Sequence, residues 1–111
     1  MKESGLGKEK RILKDDEFQQ IYRKGKRCHT KNFTVIIAPN SQGYARLGLR
    51  AGRKVGGAIK RNQVKRLARE FFRLNQHRLV GSQDYLIIAK KEATDLNYHQ
   101  VFNELSRLFD R

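Results

Sequence analysis

Residues 56–74, GGAIKRNQVKRLAREFFRL, constrain the fold more than any other stretch of this chain. After two glycines, apolar residues recur every three or four positions, the period of one helix face. On a helical wheel of about 100° per residue with Arg61 at the origin, Lys65, Arg69, Asn62, Arg73 and Arg66 fall within about 140°. Leu74, Leu67, Phe71, Val64 and Ala68 gather on the far side, between about 220° and 340°. A helix divided in this way needs an apolar surface to lie on. It predicts that Val64, Leu67, Ala68 and Phe71 pack on a sheet while the basic arc points outward.

The flanking segments supply the sheet. NFTVIIAPN (32–40) is β-branched and aromatic, and ends at the only proline, Pro39. SQG (41–43) has turn chemistry. YARLGLRAG (44–52) alternates, with Ala45, Leu47, Leu49 and Ala51 on one face and Tyr44, Arg46, Gly48 and Arg50 on the other. Two neighbouring strands with a short turn predict an antiparallel hairpin whose second strand has a basic, open face. DYLIIAKK (84–91) is a further strand, after the loop HRLVGSQ. DDEFQQIYRKG (15–25) reads as a short helix capped by Asp15 and stopped at Gly25, with Phe18, Ile21 and Tyr22 on one face. Residues 93–109 form a last helix with Thr94 or Asn97 as cap and a stripe of Tyr98, Val101, Phe102, Leu105, Leu108 and Phe109. The expected architecture is an α+β, two-layer sandwich, a four-stranded sheet with helices against one face. Residues 1–10 read as a mobile basic arm, and residues 11–111 as one domain.

Charge says what the outward arc is for. The chain has 25 Lys and Arg against 11 Asp and Glu, a formal net charge of +14. Self-repulsion of that size destabilises a compact state, so packing does not explain it. From Phe18 to Arg69 there is no Asp or Glu, yet fourteen of the basic residues lie there. Exposed helix faces ordinarily mix signs to gain pairing at i,i+4, whereas this arc sets like charges at Arg61, Lys65 and Arg69 and opposes them only with Glu70. A polyanion offsets that cost through counterion release, and nucleic acid is the expected partner rather than an anionic membrane. A basic helix in a DNA major groove is a weaker reading of the same charges.

Other chemistry finds little footing. AGRKVGGAIK superficially resembles a phosphate loop, but Ala58 follows Gly57 where that motif requires Lys and then Ser or Thr. His29, His77 and His99 have no ligand-like spacing, and the acids are scattered outside the basic middle, so neither a metal site nor a set of catalytic residues is expected. Cys28 is the lone cysteine and reads as a half-buried strand residue. No run has signal-peptide or membrane-spanning character, so a cytoplasmic protein without a membrane partner is expected.

GLRAGRKVGGAIKRNQVKRLAREFF closely resembles the signature of the protein subunit of bacterial ribonuclease P: a strand ending in a basic turn, a glycine loop, then a helix with an Arg-Asn-Arg box and Lys-Arg-hydrophobic-x-Arg. FQQIYRKG, the NF that opens a strand and DYLIIAKK extend the resemblance over nearly all of residues 10–110. It implies a ribosomal-protein-like α/β sandwich of three helices and four strands, with a left-handed β-α-β crossover around the basic helix. It further implies one copy of an accessory subunit assisting a catalytic RNA that removes 5′ leaders from precursor tRNA. Chemistry and Mg²⁺ then belong to the RNA and its substrate complex, and the protein holds no cofactor of its own. By position, the resemblance places Arg53, Lys54, Lys60, Arg61, Asn62, Lys65, Arg66, Arg69 and Arg73 against the RNA subunit. It places Phe18, Tyr22, Phe33, Ile36, Arg50 and Lys90 along a cleft for the single-stranded leader. Two positions depart from the pattern. Gln63 replaces the last arginine of the box, and Ile36 stands where some members carry an aromatic, so no leader-sequence preference carries over. The alternative from another class is a ribosomal or assembly protein with the same basic helix and no leader cleft.

Overall fold

A computed structural model describes residues 10–12, 14–79 and 81–109, the last of them by its backbone alone. The expected arm at residues 1–10 therefore lies outside the described residues except for Lys10, whose Nζ donates to Gln76 Oε1 at 3.0 Å. Among the described residues the elements are α1 (Asp15–Lys24), β1 (Lys26–His29), β2 (Phe33–Pro39), β3 (Arg46–Ala51), α2 (Ala58–Leu74), β4 (Gln83–Ala89) and α3 (Tyr98–Phe109). The four strands make one mixed sheet in the order β1-β2-β4-β3. β1 with β2 and β2 with β4 are antiparallel; β3 and β4 are parallel and joined through α2. The α+β class with three helices and four strands is as expected.

The expected hairpin of residues 32–52 does not form, because β4 lies between β2 and β3. β2 and β4 are apolar on both sides of the pleat, so they take the centre, where both faces are covered. β3 carries Arg46 and Arg50 and takes an edge. The 41–43 segment is tied to the approach to β4 instead of folding β3 back. Asn40 N–H donates to Ser82 O at 2.8 Å, and Gly43 N–H to Ser82 Oγ at 2.9 Å. β1, the strand for which the sequence provides no pattern, is KRCH, three of its four residues exposed, on the opposite edge.

Each face of the sheet has its own core. Phe33, Val35, Leu47, Tyr85 and Ile87 meet Val64, Ala68, Phe71 and Phe72 of α2 and Val101, Leu105 and Leu108 of α3. The other pleat side presents Ile36, Ala38 and Leu86 to Phe18 and Ile21 of α1, with Ile12 alongside. The helices thus lie on both faces, which corrects the expectation of one covered face. Central strands that are apolar on both sides need a second cover, and the short apolar stripe of α1 provides it.

Local chemistry sets the helix ends. Lys14, not Asp15, is the N-cap of α1, without a side-chain cap; Asp15, Asp16 and Glu17 occupy the first turn, where the helix dipole favours acids. Gly25 ends α1 in extended backbone. A side chain there would begin 2.2 Å from Ile36 Cγ2, so glycine is needed for close approach to β2 and not for a left-handed turn. At the start of α3, Asn97 Oδ1 accepts from Gln100 N–H and Gln100 Oε1 accepts from Asn97 N–H, both at 2.9 Å. Thr94 instead donates to Val55 O.

Candidate nucleic-acid interface

The glycine loop starts the first surface. Gly56 has φ +145°, a conformation rarely open to other residues, and Gly57 is the N-cap from which α2 runs. On α2, Val64, Ala68 and Phe71 are buried as expected and Leu67 is half-buried. The buried arc is rotated at its C-terminal end. Phe72, near 20° on the wheel at about 100° per residue, is 1% exposed and sits edge-on to Tyr85, while Leu74 is 48% exposed. This rotation divides the basic arc into two rows. Arg61, Lys65 and Arg69 are half-buried along one flank; Asn62, Gln63 and Arg66 are exposed. Burial, followed by the nearby Arg11 charge, lowers the Arg69 guanidinium pKa from its ordinary value.

Arg53 and Lys54 are exposed in a single 3-10 turn just before the glycines. Two of the expected contacts are engaged within the protein. Lys60 Nζ pairs with Asp95 at 3.0 Å, and Arg73 Nε with Glu70 at 2.8 Å. Both pairs are solvent-accessible, so exchanging the carboxylate for a phosphate costs little. Gln63, an uncharged side chain, is exposed beside Arg66.

The second surface is the α1 side of the sheet. Arg46 fixes α1 to it. Its guanidinium donates to both oxygens of Asp84 at 2.9 Å and to Glu17 at 3.1 Å, with only 13% of its side chain exposed. The Asp84 hydrogen bonds, the largest of several causes, raise the Arg46 pKa despite its burial. The sequence-based expectation of an open arginine at 46 is therefore corrected, since the acids of α1 and β4 close over it. Gly48 lets α1 descend: a Cβ there would lie 2.7 Å from Phe18 Cε1. Arg50 then crosses the Phe18 ring at 4.2 Å from its centroid, and Arg27 of β1 lies 5.7 Å from the Tyr22 centroid.

Of the residues expected along a leader cleft, Phe18, Tyr22, Ile36 and Arg50 share this face. Phe18 and Ile36 form its buried floor, while Tyr22 and Arg50 are half-buried. Phe33 does not join them. It is 1% exposed and belongs to the α2/α3 core, one residue out of phase in the pleat. Lys90 follows β4 and its Nζ donates to Thr30 O at 2.6 Å. That carbonyl belongs to the β1–β2 turn, which Glu104 of α3 also holds, accepting from Asn32 N–H at 2.6 Å, from Asn32 Nδ2 at 2.7 Å and from the Thr30 hydroxyl. Arg27 was missed by sequence reasoning because its strand carries no pattern; its neighbour Tyr22 was the available signal. Among the described residues, no three His, Cys, Asp or Glu side chains group to hold a metal ion, and no helix is long and apolar enough to cross a membrane.

An α/β sandwich with a predominantly basic helical arc on one side and a cation-lined aromatic surface on the other is an RNA-binding protein. More narrowly, the chain belongs to the ribonuclease P family, whose model, described as Ribonuclease P, matches residues 6–111. It is 45% identical over 111 residues to the "Ribonuclease P protein component" of Syntrophus aciditrophicus, covering 100% of this chain and 93% of that one. The fold is similar to the RNase P protein of Thermotoga maritima, with TM-score 0.83 and 30% identity over 91% of this chain and 96% of that one. It is equally similar to a Staphylococcus aureus RNase P protein described as a mutant with defective mRNA degradation activity, with TM-score 0.83 and 32% identity over 93% and 87% of the two chains.

Proposed function

We propose that this protein is the RNA-binding subunit of a ribonuclease P in which the partner RNA performs the endonucleolytic cut that frees the 5′ end of precursor tRNA. The observation that carries this reading is the exposed and acid-free row of α2, Asn62 and Arg66 with Arg53 and Lys54 ahead of it, in a member of that family. Lysines and arginines in such a row replace condensed counterions on the RNA subunit and relieve RNA–RNA repulsion where substrate docks. The α1 face takes the single-stranded leader. Tyr22 offers a ring for stacking, and Arg27, Arg50 and Lys90 offer charge to the leader backbone. Arg46 contributes by positioning, since its ion pairs hold α1 against the sheet and keep that face in shape.

Mg²⁺ is assigned to the RNA and its substrate complex; none of the protein's residues is given a metal-binding role. The ribosomal or assembly alternative shares the α2 row but gives no role to the α1 face, and the family match does not favour it. Reconstitution tests the reading. Nuclease-free protein alone is expected to leave both precursor tRNA and a control mRNA intact, and the RNA subunit plus protein to cleave the leader at modest Mg²⁺. Clean 5′ maturation by the protein alone would contradict the division of labour.

A further inference from the structure

The half-buried row of α2 borders a cavity that lies between the two surfaces above. Arg11, Ile12, Phe18, Leu47, Leu49, Lys65 and Arg69 line about 250 Å³ at the outer edge of β3. Its composition is divided. Ile12, Phe18, Leu47 and Leu49 form an apolar wall, while Arg11, Lys65 and Arg69 contribute three cations, and no carboxylate is among the lining residues. Burial, and after it the nearby Arg11 charge, lower the Arg69 pKa, which places the two guanidiniums in one neighbourhood. Arg11 is held there by the backbone, since it forms an isolated parallel bridge with Leu47 and Ile12 N–H donates to Leu47 O at 2.8 Å. The cavity is slightly smaller than the roughly 300–1,000 Å³ of sites for drug-sized ligands. It therefore suits one ring with its attached phosphate rather than an extended ligand.

Resting on the reading of the protein as an RNA-binding subunit, we propose that this cavity receives a single unpaired nucleotide. Its base lies against Leu49 and Phe18, and its phosphate is met by Arg11, Lys65 and Arg69. The geometry favours an unstacked nucleotide over a duplex. A paired base has its faces covered by neighbours and cannot reach an apolar wall recessed between β3 and α2. Arg11 thereby becomes a binding residue outside the helix box, and the N-terminal segment becomes part of the RNA interface through its pairing with β3. The nucleotide belongs either to the RNA subunit or to the leader, and the two sources are separable.

The test compares the full-length protein with Arg11→Ala, which removes a cation, and with Leu49→Trp, which fills the cavity. Each is bound to the RNA subunit and, separately, to precursor tRNA, and 2′-hydroxyl reactivity is read at every nucleotide. Circular dichroism and thermal melting establish that each variant is folded. We expect one unpaired nucleotide, protected by wild type, to regain reactivity in both variants. Affinity for the same RNA should fall about tenfold, and Arg11→Ala should lower its salt slope by about one. Lost protection in the RNA subunit assigns the nucleotide there, and lost protection in the leader assigns it to substrate. Wild-type binding with footprints unchanged in both variants would overturn the pocket alone. Absence of wild-type binding to either RNA would overturn the underlying reading as well.

Discussion

The two faces of the sheet are built from the same two central strands and serve different ends. Under α2 and α3, Phe33, Val35, Tyr85 and Ile87 enter a continuous core of buried apolar side chains. Under α1, the apolar patch is limited to a few residues around Phe18 and Ile36. The surface then passes into Arg46 with its ion pairs, Arg50 over Phe18 and Arg27 over Tyr22. The first face is a full core, and the second gives up part of that burial for an open cationic and aromatic surface, the one proposed to bind the leader. The lesson is that β2 and β4 need to be apolar on both sides even though only one side carries a full core, because α1 must sit down firmly to shape the other.

Truncation on the stability face has the largest expected effect. Phe33→Ala should cost about 3–5 kcal/mol in denaturant unfolding while leaving RNA affinity per folded molecule unchanged. A selective loss of leader binding without destabilisation would return Phe33 to the cleft. Next comes the hinge between the faces. Arg46→Met leaves Asp84 buried without its bidentate partner and should cost about 3 kcal/mol, with Arg46→Met/Asp84→Leu recovering most of it. Equal loss in the single and double variants would show that the network is not what holds α1. On the binding face, Arg50→Ala should cost no more than about 1 kcal/mol of stability yet weaken the dependence of precursor-tRNA affinity on leader length. The smallest structural effect belongs to α2's exposed row. Arg66→Ala should leave stability within about 0.5 kcal/mol of wild type and reduce the RNA-subunit salt slope by about one.

The sequence resolves the elements whose signal is local and loses those that depend on partners. α2, β2 and β4 carry long, clean patterns and appear where the periodicity puts them. KRCH carries none, because a four-residue edge strand is specified by the register of β2 beside it. Adjacency along the chain suggested that β3 would return on β2. The decision rests on which strands need cover on both faces, and that depends on all the helices at once. Phe33 went to the wrong face because resemblance locates a residue along the strand, while a shift of one residue in the pleat decides its side. Gln63 stands exposed beside Arg66, so the shortened arginine box is a matter of surface charge and not of packing.

The central claim is that the exposed row of α2 and the α1 face meet different RNAs. One paired measurement tests it most directly: affinity for the RNA subunit, and affinity of the reconstituted complex for precursor tRNAs with long and short leaders, in Arg66→Ala and Tyr22→Ala. We expect the effects to separate. Arg66→Ala should weaken the RNA subunit and spare the leader-length difference, and Tyr22→Ala should erase that difference and spare the RNA subunit. Both variants weakening both affinities alike would contradict two separate surfaces.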